Sequence, residues 1–241
     1  MKNSVILCTI LSLLLVFSSC TSEQYDDEND YMFEVLEDSG SVRITGYTMA
    51  KREIRIPPEI QGMPVTEIGE FAFEYKLLAS VAIPDSVITI HPYAFASNRL
   101  TSVNIGSNVK TIGQSAFHEN QITSLTIPDS VISIDTSAFA DNRLTSLTIG
   151  SSVVTIGELA FADNRELASV TIPESVTLIS WRAFAQNPLT SITIGADVEI
   201  FDIWFDPTFP NRFTDVYNAH GSQAGTYIFN DGVWGFRVYE K

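Results

Sequence analysis

The sequence predicts a mainly β repeat solenoid, closed by a β-hairpin at its N-terminal end and by an aromatic-rich segment at its C-terminal end. Two periodicities and one alternation carry that prediction. The pair Ala-Phe recurs with Phe at 73, 95, 117, 139, 161 and 184, at intervals of 22, 22, 22, 22 and 23 residues. Ile followed by Pro or Gly recurs in step, with Ile at 83, 105, 127, 149, 172 and 194. Between these markers Leu147 and Ile149 alternate with Ser146 and Thr148, the period-2 signature of a strand buried on one face.

A fixed repeat of this length is one supersecondary unit. No unit buries its apolar face alone, so the units must stack into a continuous core. The single 23-residue interval has a local cause, because Asn164-Arg165-Glu166-Leu167 holds one residue more than Asn142-Arg143-Leu144. Val153, Ile156, Ala160 and Phe161 are assigned to the return path of the coil. With strands about 4.8 Å apart, seven of them span about 29 Å between the outermost two. Pro and Gly alternate after the marker Ile (Pro84, Gly106, Pro128, Gly150, Pro173, Gly195), which is read as the trace of a duplicated two-coil unit.

The flanks follow from composition. Residues 1–20 run from Met1-Lys2 through the apolar stretch Val5 to Phe17 to Phe17-Ser18-Ser19-Cys20, the shape of a secretory signal too short to span a bilayer. Residues 21–31 open with TSEQYDDEND, acidic and without apolar periodicity, and are expected to be a flexible tether. Residues 32–53 hold two alternating runs around Glu37-Asp38-Ser39-Gly40-Ser41, a hairpin cap. Residues 54–201 are the repeats, and residues 202–241 the aromatic cap.

Chemistry and charge exclude several functions. The chain has 29 acidic against 14 basic residues, a net charge of -15, so nucleic acid is not expected as a partner. Its Cys residues are Cys8 and Cys20, both ahead of the body, which leaves no disulfide or thiolate metal site there. His118-Glu119 begins like a zinc-protease helix, but Ile122 stands where the second His is needed. Gly221 to Gly225 lacks the Lys and the strand-to-helix setting of a phosphate loop. Asp85, Asp129 and Glu174 recur at one turn every two coils, whereas a catalytic pair is singular. No catalytic residue, metal or cofactor is expected.

The spacing L-x-x-L-x-L-x-x-[N/S], met by Leu100, Val103, Ile105 and Asn108 and by Leu144, Leu147, Ile149 and Ser152, resembles the leucine-rich repeat. Its continuation I-P-x-S-V-x-x-I-G-x-x-A-F resembles the BspA-like, or treponemal-type, class. Ile83-Pro84-Asp85-Ser86-Val87 through Ala94-Phe95 fits with His91 in place of Gly, and Ile172-Pro173 through Ala183-Phe184 fits with Ser180 there. Asn98, Asn120, Asn142, Asn164 and Asn187 sit where that class often carries Cys or Asn. The resemblance implies a right-handed coil stack with short parallel strands. It also implies a surface protein that adheres to host matrix or cell-surface proteins or to other bacteria. The N-terminus similarly resembles a bacterial lipoprotein signal, which makes Cys20 the acylated residue. The membrane is then a partner through the lipid anchor only, at the outer membrane or cell surface.

Two candidate surfaces remain. Ser102, Asn104, Ser124, Thr126, Ser146, Thr148, Thr171 and Thr193 are outward strand positions, a face that solenoids use for binding, here small and uncharged. Trp181 and Trp234 are the candidate aromatic patch, which would stack on a glycan and serve a glycan-capture lipoprotein. A periplasm-facing scaffold is the remaining alternative. The Phe column is expected to be a packed spine: Phe139→Ala should lower stability by about 3–5 kcal/mol in urea unfolding.

Overall fold

The structure, a computed structural model, describes residues 24–201, 213–230 and 233–237. The signal segment, Cys20 and part of the C-terminal cap lie outside the described residues.

Each coil contributes two short strands. On the front face Glu53–Arg55, Ser80–Ala82, Ser102–Asn104, Ser124–Thr126, Ser146–Thr148, Ser169–Thr171 and Ser191–Ile194 supply the seven expected strands. They pair parallel and in register, for example Leu125 with Leu147. Pairing is interrupted after Ser102–Asn104 and after Ser146–Thr148. The unbroken ladder is on the back: Met63–Ile68, Thr89–Ile90, Thr111–Ile112, Ser133–Ile134, Thr155–Ile156, Leu178–Ile179 and Glu199–Ile200 pair parallel in sequence. Alternation predicts the front strands and misses the back ones, because a two-residue strand is too short to display a period of two.

The Ala-Phe segment makes a third line of contact. The residues two before and two after Phe are left-handed, such as Ser137 at φ 54° and Asp141 at φ 53° around Phe139. This backbone turns alternate N–H groups toward the next coil: Ser137, Phe139 and Asp141 donate to the carbonyls of Glu158, Ala160 and Ala162. Left-handed backbone is costly for residues with a Cβ, and three bonds per coil hold it in place. The six Phe rings are buried and stack with centroids 4.9–5.6 Å apart.

The Asn column closes each corner. Asn142 donates from Nδ2 to the carbonyls of Phe117, Phe139 and Ala140, while its Oδ1 accepts the Ile122 N–H. Asn98, Asn120 and Asn164 repeat this pattern. Asn187 keeps the three donations. Its buried Oδ1 has no partner. The inserted residue explains the difference, since Leu167 N–H, its counterpart donor, turns back to the Asn164 carbonyl.

At Gly106 and Gly150 the Pro and Gly alternation has a physical cause beyond duplication. A Cβ on Gly106 or Gly150 would overlap the carbonyl oxygen of Pro84 or Pro128 in the preceding coil. Beside the same turns, Asp85 and Asp129 each accept the N–H of the residue after that Gly, Ser107 and Ser151. The Pro coil therefore offers an acidic ledge, and the Gly coil comes down onto it.

The caps close opposite faces. The antiparallel hairpin Tyr31–Leu36 and Ser41–Tyr47 pairs its second strand with Met63–Ile68, extending the back ladder. Tyr31 and Tyr47 bring their rings to 6.2 and 5.7 Å from Phe73, ending the spine. At the other end the hairpin Gly225–Asn230 and Val233–Arg237 pairs antiparallel with Ser191–Ile194, extending the front ladder. The helix Phe213–Ala219 places Tyr217 so that its hydroxyl donates to the Gly195 carbonyl and accepts the Val198 N–H.

Residues 26–30 of the acidic stretch bond to the body. Lys51 binds Asp26 and Asp30 at 2.9 and 2.8 Å, Asp26 accepts the Arg55 N–H, and Glu28 accepts the Gln61 N–H. These two carboxylates push the Lys51 ammonium pKa up. Composition alone reads such a run as solvated, because its partners lie more than 20 positions away.

Equilibrium unfolding of Gly150→Ala should show a loss of about 1–3 kcal/mol. Gly195→Ala should stay within about 0.5 kcal/mol of the parent, because a Cβ there meets only the Glu174 Cα at an ordinary 3.4 Å.

Candidate functional site

The front strand face is available to solvent along most of its length. Ser102, Asn104, Ser124, Thr126, Ser146, Thr148 and Thr171 are exposed. Thr193 is not part of an open face, because the C-terminal hairpin covers it and its hydroxyl bonds that of Thr226 at 2.8 Å. At the N-terminal end the face sinks into a depression of about 450 Å³, lined by Gln24, Asp26, Arg55, Ser80, Ser102 and Asn104 among others. The clamped acidic stretch supplies its rim.

The two candidate tryptophans separate. Trp181 is 54% exposed and stacks on Phe201 at 6.3 Å. Trp234 is 5% exposed, packed between Phe213 and Phe229 at 5.3 Å each. It is a cap residue and offers no ring face to a ligand. A solenoid end needs large buried rings, and sequence does not separate those from displayed ones. Trp204 and Phe205 lie outside the described residues.

Sequence reading misses a second aromatic feature. Phe71, Tyr75 and Leu77 are 48%, 69% and 47% exposed, all from the first coil, and Phe71 stacks on Tyr93 at 5.1 Å. The positions matching Tyr75 in later coils are Ser97, Glu119, Asp141, Asp163 and Gln186. Reading down that column, rather than along the chain, would have revealed the exception.

Charged groups gather on the back face near the N-terminal cap. Arg43 binds Glu34 at 2.7 Å and Glu67 at 2.6 Å, and His91 Nε2 lies 2.6 Å from the same Glu67 oxygen. The row follows strand register, since Glu34 opposes Arg43 and Arg43 opposes Glu67. Burial raises the Glu67 pKa, but its bonds to Arg43 and His91 outweigh burial and hold it below the ordinary value of 4.5. Of Arg99, Arg143 and Arg165, each following a column Asn, only Arg165 meets a carboxylate among the described residues, Asp163 at 3.0 Å.

The residues weighed for catalysis have structural surroundings. Glu119 is left-handed and His118 lies in the same turn, not on a helix. His118 Nδ1 stands 3.6 Å from Asp141, beyond hydrogen-bond distance. Gly221 ends a helix ahead of a strand, the reverse of a phosphate loop. The Asp129 carboxyl pKa is lowered by the Ser151 N–H it accepts across the coil boundary.

Residues 89–205 match the BspA type leucine-rich repeat region in six copies. The repeats of this chain are BspA-type leucine-rich repeats. No curated protein matches the chain. Among solved structures it is similar to a leucine-rich repeat protein of Treponema pallidum, at 21% identity and TM-score 0.54 over 73% of this chain and 86% of that one. It is also similar to the pneumococcal vaccine antigen PcpA, at 22% identity and TM-score 0.60, covering 72% of this chain and 50% of that one. A leucine-rich cell surface protein of Faecalibacterium prausnitzii aligns at 28% identity and TM-score 0.52 over 88% of this chain and 60% of that one. The chain thus spans half of the solved pneumococcal chain and 86% of the solved treponemal one.

Within this BspA-type solenoid the Glu67 cluster gives a signed pH dependence. A depressed carboxyl pKa stabilises above the unfolded value of 4.5, and that contribution disappears as pH falls through the lower folded value. Thermal unfolding from pH 6 to 3 should therefore show a shallower acid loss in Glu67→Gln than in the parent.

Proposed function

We propose that the protein is a lipid-anchored, surface-displayed binding module without catalytic activity, which engages proteins of a host matrix, of host cells or of other bacteria. The observation that carries this reading is the exposed Phe71, Tyr75 and Leu77 set at one end of a rigid repeat body. Large rings of low side-chain entropy anchor protein interfaces, whereas small hydroxyls contribute complementarity. The BspA-type repeats and the similarity to a cell surface protein support the placement. Cys20 is the proposed acylation site, and the clamped residues 26–30 then set the body close to its anchor.

No helix among the described residues is long and apolar enough to cross a membrane. Attachment through Cys20 would supply the anchor, with acyl chains contributing about 0.8 kcal/mol per buried methylene.

Protease added to intact cells should degrade the protein as it does in lysed cells. Survival on intact cells alone would place it in the periplasm and refute surface adhesion. For the binding surface, purified body should be captured on a reconstituted basement-membrane matrix. Phe71→Ala with Tyr75→Ala should weaken capture roughly 30-fold, while Ser124→Ala with Thr126→Ala should change it less than about twofold.

A further inference from the structure

A second recess lies on the back ladder, away from the first-coil aromatics. It has a volume of about 420 Å³ and spans three coils, with Asp135, Thr136, Thr155, Gly157, Glu158 and Trp181 among its lining residues. With coils about 4.8 Å apart, its long dimension is about 10 Å, the length of one to two pyranose rings.

Three properties define what fits. Trp181 is the only aromatic in its column, where preceding coils carry Pro92, Gln114, Thr136 and Glu158. Phe201 backs the ring at 19° between planes, and over half of the Trp181 surface remains open. Asp135 and Glu158 are exposed, and neither forms an ion pair with a described residue. The one side-chain bond in the pair is Asp135 Oδ1 accepting the Thr136 N–H. Finally, Gly157 contributes no side chain to the floor, and a Cβ there would collide with the backbone of Asp135 and Thr136.

An exposed aromatic face beside hydroxyls and carboxylates without an ion-pair partner matches the two surfaces of a sugar ring. The C–H face packs on the indole, and the ring hydroxyls donate to the carboxylates. Net charge decides between sugars. A chain at -15, with two carboxylates in the recess, repels uronates and sulfated glycans. We propose that the Trp181 recess is a subsite for a neutral glycan.

The test is affinity electrophoresis of the purified body in gels holding laminarin, xyloglucan or yeast mannan, with polygalacturonate as the anionic control. The expected result is retardation by at least one neutral polysaccharide and none by polygalacturonate. Affinity should fall roughly tenfold in Trp181→Ala, and less in Trp181→Phe and Glu158→Gln. Trp181 is a surface ring, so an unchanged circular dichroism melt would show that the variant is folded. Phe71→Ala should migrate as the parent, which separates this subsite from the protein-binding surface. Absence of retardation by all three neutral polysaccharides, or retardation that survives Trp181→Ala, overturns the proposal.

Discussion

The amide of one buried Asn per coil holds the rest of this solenoid in place. A coil of 22 residues must turn sharply, and each turn points carbonyls of the Ala-Phe segment into a dry interior. An unpaired buried carbonyl costs about 1–3 kcal/mol. Asn142 reaches three with its two N–H hydrogens, one of them shared, and receives one N–H, from two successive coils. With the corner fixed, the neighbouring left-handed residues aim their N–H groups along the axis, the Phe rings fall into register, and the two strand ladders follow.

The main architecture was legible because it depends on repetition. The Phe spine, the Asn column and the front strands each recur at a fixed interval, and an interval survives without knowledge of distant partners. The back ladder was not legible as strand, since Thr155-Ile156 is too short to show alternation and is defined by its neighbours, Ser133-Ile134 and Leu178-Ile179. The binding candidates were less visible than the fold. Ser102 through Thr171 are as open as their outward positions imply, but Thr193 is taken by a cap whose hairpin arrives from 33 residues downstream. Trp234 and Trp181 look alike in sequence, and burial in the cap separates them. Phe71 and Tyr75 stand out only against the polar residues of their columns.

The two caps divide the molecule between its faces. The N-terminal hairpin lengthens the back sheet, and the C-terminal hairpin lengthens the front sheet. The back sheet thereby carries the Glu34, Arg43, Glu67 and His91 row near its beginning and the Trp181 recess toward its end. The front sheet stays open at its beginning, where the acidic stretch rims a depression. One-sided capping of this kind lets a repeat body with nearly identical coils present unlike surfaces at its two ends.

The extra residue at Asn164-Arg165-Glu166-Leu167 reaches beyond the spacing it alters. It diverts the Leu167 N–H and leaves Asn187 Oδ1 without a donor. The front ladder is interrupted beside that turn, as it also is between Ser102–Asn104 and Ser124–Thr126, where no residue is inserted. In a chain of nearest-neighbour couplings, cooperativity divides where a junction is weakest. The final coils and their cap join the body with one buried hydrogen bond fewer, and the back ladder and the Phe stack carry the junction.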